Sequence, residues 1–295
     1  MRLSTLQRIK YLFPIGTIVF GFSILAWESK DKTETVVDWK AGEIRKTVEV
    51  KLPKISFHPD DPDFNKEGTA KNLTEARNIA KETAKEEIKK YLYRGMENLK
   101  LDSNLLLREK IAEDEAFREI FQEIYEKDPI EVQARFVGNK LLATGILPLK
   151  GKKGILTHIT LPYASEKFPE SYPIQNPADS YTGLIVDARH LNVEPALFSE
   201  IRDEDGIGIY SPFFVKKSSI VNYGYIRYFS KPKDAMREEV AGVKPLVTTA
   251  LGMTGKLGAD LVISNEDAEK ILASPKSREA LSKGRVIVLL ARPEK

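Results

Sequence analysis

Tyr11–Trp27 is a run of seventeen uncharged residues, YLFPIGTIVFGFSILAW, with Arg2, Arg8 and Lys10 before it and Glu28, Lys30 and Asp31 directly after it. As a helix it would reach about 25 Å at 1.5 Å per residue, the lower limit for crossing the hydrocarbon core of a bilayer. Basic residues confined to its N-terminal side would hold that end in the cytoplasm. Pro14 and Gly16 are poor in a water-exposed helix but tolerated in a membrane. Three readings follow: an uncleaved anchor, a cleaved signal peptide, or a buried core helix. Cleavage after Ala26 would place Ile24 where a small residue is wanted, with bulky Trp27 next, so the anchor is favoured. Either exported reading puts the rest of the chain outside the cytoplasm, which in a bacterium is the periplasm.

The three basic residues ahead of the run account for the whole formal net charge of +3, so residues 28–295 are neutral. A neutral body lacks the basic excess that drives phosphate binding, and no nucleic-acid partner is expected. Cysteine is absent, which excludes disulfides, thiolate metal sites, a cysteine nucleophile and a lipid-modified cysteine. The histidines, His58, His158 and His190, are far apart.

The sequence predicts an α+β chain: an N-terminal membrane-anchor or signal helix, then two α+β domains with mainly antiparallel sheets. Residues 1–35 are the export segment and tether, 36–162 the first domain, 163–180 a proline-rich linker, and 181–295 a second, strand-rich domain. In the first domain, Val48, Val50 and Leu52 alternate as in a half-buried strand. Asn72 and Glu75 have capping-box spacing. Ala76, Ala80, Ala84 and Ile88, extended by Leu73, Tyr91 and Leu92, form a helical stripe. A second helix is expected over 103–125, with Phe117, Ile120, Phe121 and Ile124 on one face. Strands are expected at 131–137, 140–147 and 154–161, the first two joined through Gly138-Asn139. In the second domain the pattern predicts strands at 182–188, 199–203, 207–210, 222–229, 246–253, 260–263 and 285–290. Helices are expected around 232–240 and after a Ser264 cap.

Candidate chemistry is sparse. Asp187, Arg189 and His190 follow an apolar strand, where Arg189 could grip a carboxylate and Asp187 with His190 could act as an acid/base pair. The competing reading is a loop-bracing ion pair. His58-Pro-Asp60-Asp61-Pro-Asp63 and Asp203-Glu204-Asp205-Gly206 offer oxygen ligands, but neither has cation-loop spacing, and both read as turns. Gly252–Gly258 lacks the spacing of a phosphate-binding loop and reads as a hairpin. No catalytic residue, metal site or cofactor is expected.

The alanine-striped helix, the second helix and the strand pair EVQARFVGNKLLATGILPL together resemble a family of small bacterial envelope lipoproteins. That family includes the flagellar basal-disk and H-ring assembly proteins (FlgP/FlgT-like). The stretches YTGLIVDARHLNVEPALFSEIRDEDG and GADLVISNEDAEKIL resemble a segment of exported bacterial proteins, some associated with the flagellum or envelope. The likeness covers about residues 70–150 and 181–290, and departs from the lipoproteins in having no cysteine to lipidate. It implies a non-enzymatic periplasmic structural or assembly module of a membrane-associated complex, flagellar or ring-like. Its partners would be cell-envelope proteins, a second copy of itself, and a membrane through residues 11–27. The alternatives are a periplasmic ligand- or glycan-binding module using Asp187, Arg189 and His190, and an enzyme.

Overall fold

Alternation of more and less buried residues along two long paired strands sets up the first half of the fold. The computed structural model describes residues 35–169, 180–237 and 239–291. The run Tyr11–Trp27 and most of the proline-rich stretch, 170–179, lie outside them. Among the described residues no helix is long and apolar enough to cross a membrane.

In chain order the first half holds β1 (Val36–Asp38), β2 (Glu43–Lys51), β3 (Lys54–Ile55), β4 (Thr69–Ala70), α1 (Leu73–Glu97), α2 (Leu107–Glu113), α3 (Glu115–Lys127), β5 (Glu131–Val137), β6 (Lys140–Pro148) and α4 (Ile155–His158). Four strands form an antiparallel sheet in the order β1-β2-β6-β5. Along β6, Leu141, Ala143, Gly145 and Leu147 face inward, and α1 packs over them and over β2. Asn72 caps α1 by accepting from the Glu75 N–H at 2.9 Å. The Glu75 carboxylate accepts from the Lys71 N–H at 2.5 Å, one residue before the position a capping box would use. The buried stripe of α1 is Ala76, Ala80, Ala84, Ile88, Leu92, Tyr93 and Met96. Leu73 and Tyr91 were expected on it but stay partly exposed, and Tyr91 carries Lys46 Nζ over its ring at 4.0 Å.

The helix expected over 103–125 is two helices. Asp114 breaks it and caps α3, accepting from the Phe117 N–H at 3.1 Å. The strand expected at 154–161 is instead the short α4.

The second half holds β7 (Leu184–Asp187), β8 (Ile201–Arg202), β9 (Gly208–Tyr210), α5 (Lys217–Tyr223), β10 (Arg227–Phe229), α6 (Pro232–Arg237), β11 (Leu246–Thr249), β12 (Gly252–Thr254), β13 (Asp260–Val262), α7 (Asn265–Ala273), α8 (Pro275–Ser282) and β14 (Val286–Leu289). The expectation of mainly antiparallel sheets fails here. The principal sheet, in the order β10-β14-β7-β11, is parallel at every pairing. A second sheet, β12-β13-β8-β9, is mixed. The physical reason lies in the strands themselves: β7 and β14 are apolar without alternation, and such strands are covered on both faces, as parallel strands are. The strand expected at 222–229 is divided by Gly224 (φ +84°), whose N–H closes α5 on the Ile220 carbonyl; only Arg227–Phe229 is extended. Ser264 caps α7 as expected, accepting from the Asp267 N–H at 3.2 Å.

One hydrophobic cluster runs from Ile44, Ile88 and Leu147 through Leu156 and Phe198 to Leu184, Val186 and Val288. Trp39, just after β1, meets the Tyr228 ring edge-on at 5.5 Å. The described part of the proline-rich stretch also packs: Phe168 stacks on Phe214 at 4.8 Å, and the Glu166 N–H donates to the Phe213 carbonyl at 3.1 Å.

Candidate functional site

β7 lies between β14 and β11, so its carboxyl end opens at the middle of the parallel sheet, with Asp187 in register with Thr249 and Leu289. This is where open parallel sheets commonly place ligands. The Asp187 carboxylate accepts from Arg189 three times: from Nη2 at 2.6 Å, from Nε at 2.9 Å and from the backbone N–H at 3.1 Å. The Arg189 fork holds the Asp187 carboxyl below the usual carboxylate range, against an opposing effect of burial. Arg189 therefore grips its own neighbour, and the geometry is that of a brace. His190 is exposed and adds only a minor electrostatic pull on Asp187. Among the described residues no hydrogen bond joins the two.

A group whose folded pKa is lowered stabilises above its unfolded pKa, and that stabilisation fades as pH falls through the folded pKa. Asp187→Asn is therefore expected to lower the urea midpoint slightly at pH 7. The gap from the parent should close as the pH is taken below the ordinary aspartate pKa. A gap that persists in acid would mean that Asp187 acts through something other than its charge.

A second constellation, absent from the sequence-based candidates, lies where the segment 99–106 meets the second half. Lys100 Nζ donates to the Leu257 carbonyl at 2.5 Å and pairs with Glu194 Oε2 at 3.1 Å. Burial lowers the Lys100 pKa below that of an ordinary lysine. Ser103 Oγ donates to Asp260 Oδ2 at 2.7 Å, and Asp260 Oδ1 accepts from the Glu200 N–H at 2.7 Å. The Leu257 N–H donates to the Ser103 carbonyl at 2.7 Å, and the Leu197 and Phe198 N–H groups donate to the Lys100 and Leu101 carbonyls, each at 2.9 Å. Gly255 (φ +85°) is required by this approach, since a β-carbon there would lie 2.2 Å from Ser103 Oγ. Above this joint is an open cleft of about 360 Å³ lined by Lys100, Asn192, Glu194, Met253, Lys256 and Leu257. Both signs of charge line it, and Lys100 and Glu194 are already paired.

Glu200, beside the joint, pairs with Arg202. Burial still raises its pKa, the partly opposing Arg202 notwithstanding.

The remaining candidates resolve into turns. His58 Nδ1 lies 3.3 Å from Asp60, whereas Asp63 turns to Lys54 at 2.6 Å and to Lys66 at 3.2 Å. Asp203 is buried and accepts from the Ile207 N–H at 2.7 Å, bracing a hairpin whose tip needs the left-handed Gly206. Gly252–Thr254 pairs antiparallel with β13, as a hairpin should. Among the described residues no group of three or more His, Asp or Glu side chains is placed to hold a metal ion.

Residues 183–292, from β7 to just beyond β14, match the family described as Treponema pallidum Tp0624, second domain. The match spans Asp187, Arg189 and His190 and every residue lining the cleft except Lys100, and it also leaves Ser103 outside. No curated protein matches the chain.

Proposed function

We propose that this chain is a non-enzymatic periplasmic envelope protein, a structural or assembly module of a membrane-associated complex held through residues 11–27. The observation that carries this reading is the outer edge of the parallel sheet. Val243, Val247 and Leu251, in and beside the edge strand β11, are 97%, 55% and 55% exposed. Among the described residues no strand pairs with the outer edge of β11, and apolar side chains beside such an edge suit a protein partner better than a small molecule. The self-neutralised Asp187–Arg189 brace and the laced Lys100–Asp260 joint support the same reading, because their charged groups are spent on holding the fold. The flagellar or ring-like version of the complex belongs to this proposal and rests on the family resemblance.

Fractionation of the native host with intact-mass measurement tests it. Full-length chain in the membrane fraction, sedimenting in a complex larger than itself, is expected. The double variant Val247→Asp, Leu251→Asp should fold normally by circular dichroism yet leave most of that complex. Recovery of the parent only as a free soluble monomer would sink the proposal.

A second reading is a periplasmic ligand- or glycan-binding module, favoured by the cleft beside Asn192 and Glu194. It requires a ligand that competes with the Lys100–Glu194 pair.

A further inference from the structure

β5 is the outer strand of the antiparallel sheet and pairs with β6 along its whole length, from Glu131 against Ile146 to Val137 against Lys140. Its opposite edge is open among the described residues. Neither proline nor a bulge blunts this edge: its seven residues, EVQARFV, contain no proline, its pairing with β6 has no register shift, and its two charges, Glu131 and Arg135, both lie on the lower face. Its upper face is only partly covered. α1 lies over β2 and β6, while Val132 and Ala134 remain exposed. Phe136 on the same face is met by the cations of Arg77 and Lys81, at 5.1 and 6.0 Å from its ring.

We infer that β5 receives a second copy of this chain, strand against strand and antiparallel, about a two-fold axis through Ala134. The strand is complementary to itself in that register. Ala134 meets its own copy, Val132 lies opposite Phe136, and Gln133 lies opposite Arg135. Glu131 and Arg135 become diagonal neighbours twice over, within reach of long side chains. Apolar pairs thus fall on the upper face, while on the lower one the two Glu131–Arg135 diagonals outnumber the single diagonal between Arg135 and its own copy. An isologous contact of this kind closes on itself as a dimer. A seven-residue strand pairing is small for a stable interface, so the dimer forms at high local concentration, as on a membrane surface or within a larger assembly. The inference deepens the assembly reading by naming a partner, and its test separates the two.

The chain contains no cysteine, so single cysteines introduced into the full-length protein in mild detergent report without interference. Under mild oxidation Ala134→Cys is expected to give a disulfide-linked dimer. Val137→Cys alone should not, because the two-fold places it six positions from its copy, about 20 Å at 3.4 Å per residue, against a Cα–Cα reach of about 7 Å for a disulfide. Mixing Val137→Cys with Glu131→Cys should restore the cross-link. All three positions are exposed, so folding is not at issue. The inference is overturned if Ala134→Cys stays monomeric, or cross-links no faster than Val137→Cys. If cross-linking fails while the envelope complex survives, only the β5 contact is lost. If it succeeds in a chain found in nothing larger than its own dimer, only the wider assembly reading is lost.

Discussion

Gly145→Val is expected to lower stability by about 3 kcal/mol or more, enough to unfold much of a marginally stable chain. Gly145 sits in the middle of β6 directly beneath α1. A β-carbon there would lie 2.0 Å from Ile88 Cγ2 and 3.0 Å from Leu92 Cδ1. Ile88 cannot turn aside, because a β-branched side chain in a helix has essentially one rotamer. Helix and strand would have to part, and Ala80, Ala84 and Leu92 would lose their contacts with the sheet together. The usual gain from replacing a strand glycine, about 0.5–1 kcal/mol, is too small to offset this. Urea denaturation with an unchanged slope and a lowered midpoint is the expected record. A midpoint within error of the parent would show that α1 does not depend on close approach at this point.

Asp260→Ala is expected to cost about 2–6 kcal/mol, from a buried and a part-buried donor left without an acceptor at about 1–3 kcal/mol each. Asp260 is 6% exposed and receives both the Ser103 hydroxyl and the Glu200 N–H. The loss should couple to Ser103: once Asp260 is alanine, Ser103→Ala should cost much less than it does in the parent. A double-mutant cycle by urea denaturation measures this. Strict additivity would mean that the two side chains do not act as one joint. Amide exchange in residues 99–106 should rise in the same variant, since this segment is held to the second half largely through the joint.

Local chemistry was readable from the sequence; long-range arrangement was not. The Asn72 and Ser264 caps, the Gly138-Asn139 turn and the Asp203–Gly206 hairpin depend on residues within a few positions of each other, and the structure has all of them. The segment 222–229 alternates like a strand, but the positive φ that Gly224 adopts outweighs the pattern and ends a helix there. At 154–161 a short apolar run fits a helix or a strand by periodicity alone. Parallel pairing is legible in principle, because LIV in β7 and VIVL in β14 are unbroken apolar runs, the pattern of strands covered on both faces. Of the site, Asp187 and Arg189 are two residues apart and their pairing could be foreseen. Ser103 and Asp260 are 157 apart, and neither stands in a motif, so nothing local marks them as partners.

The order in which the parallel sheet is filled bears on how the chain is made. β14 is the last of the described strands to be synthesised, yet it occupies an inner place between β10 and β7. Until residues 286–289 emerge from the ribosome or from a translocation pore, β7 and β10 have no strand between them, and the second half cannot close. The same wiring makes the second half intolerant of early termination: a chain cut before residue 286 lacks an inner strand of the parallel sheet.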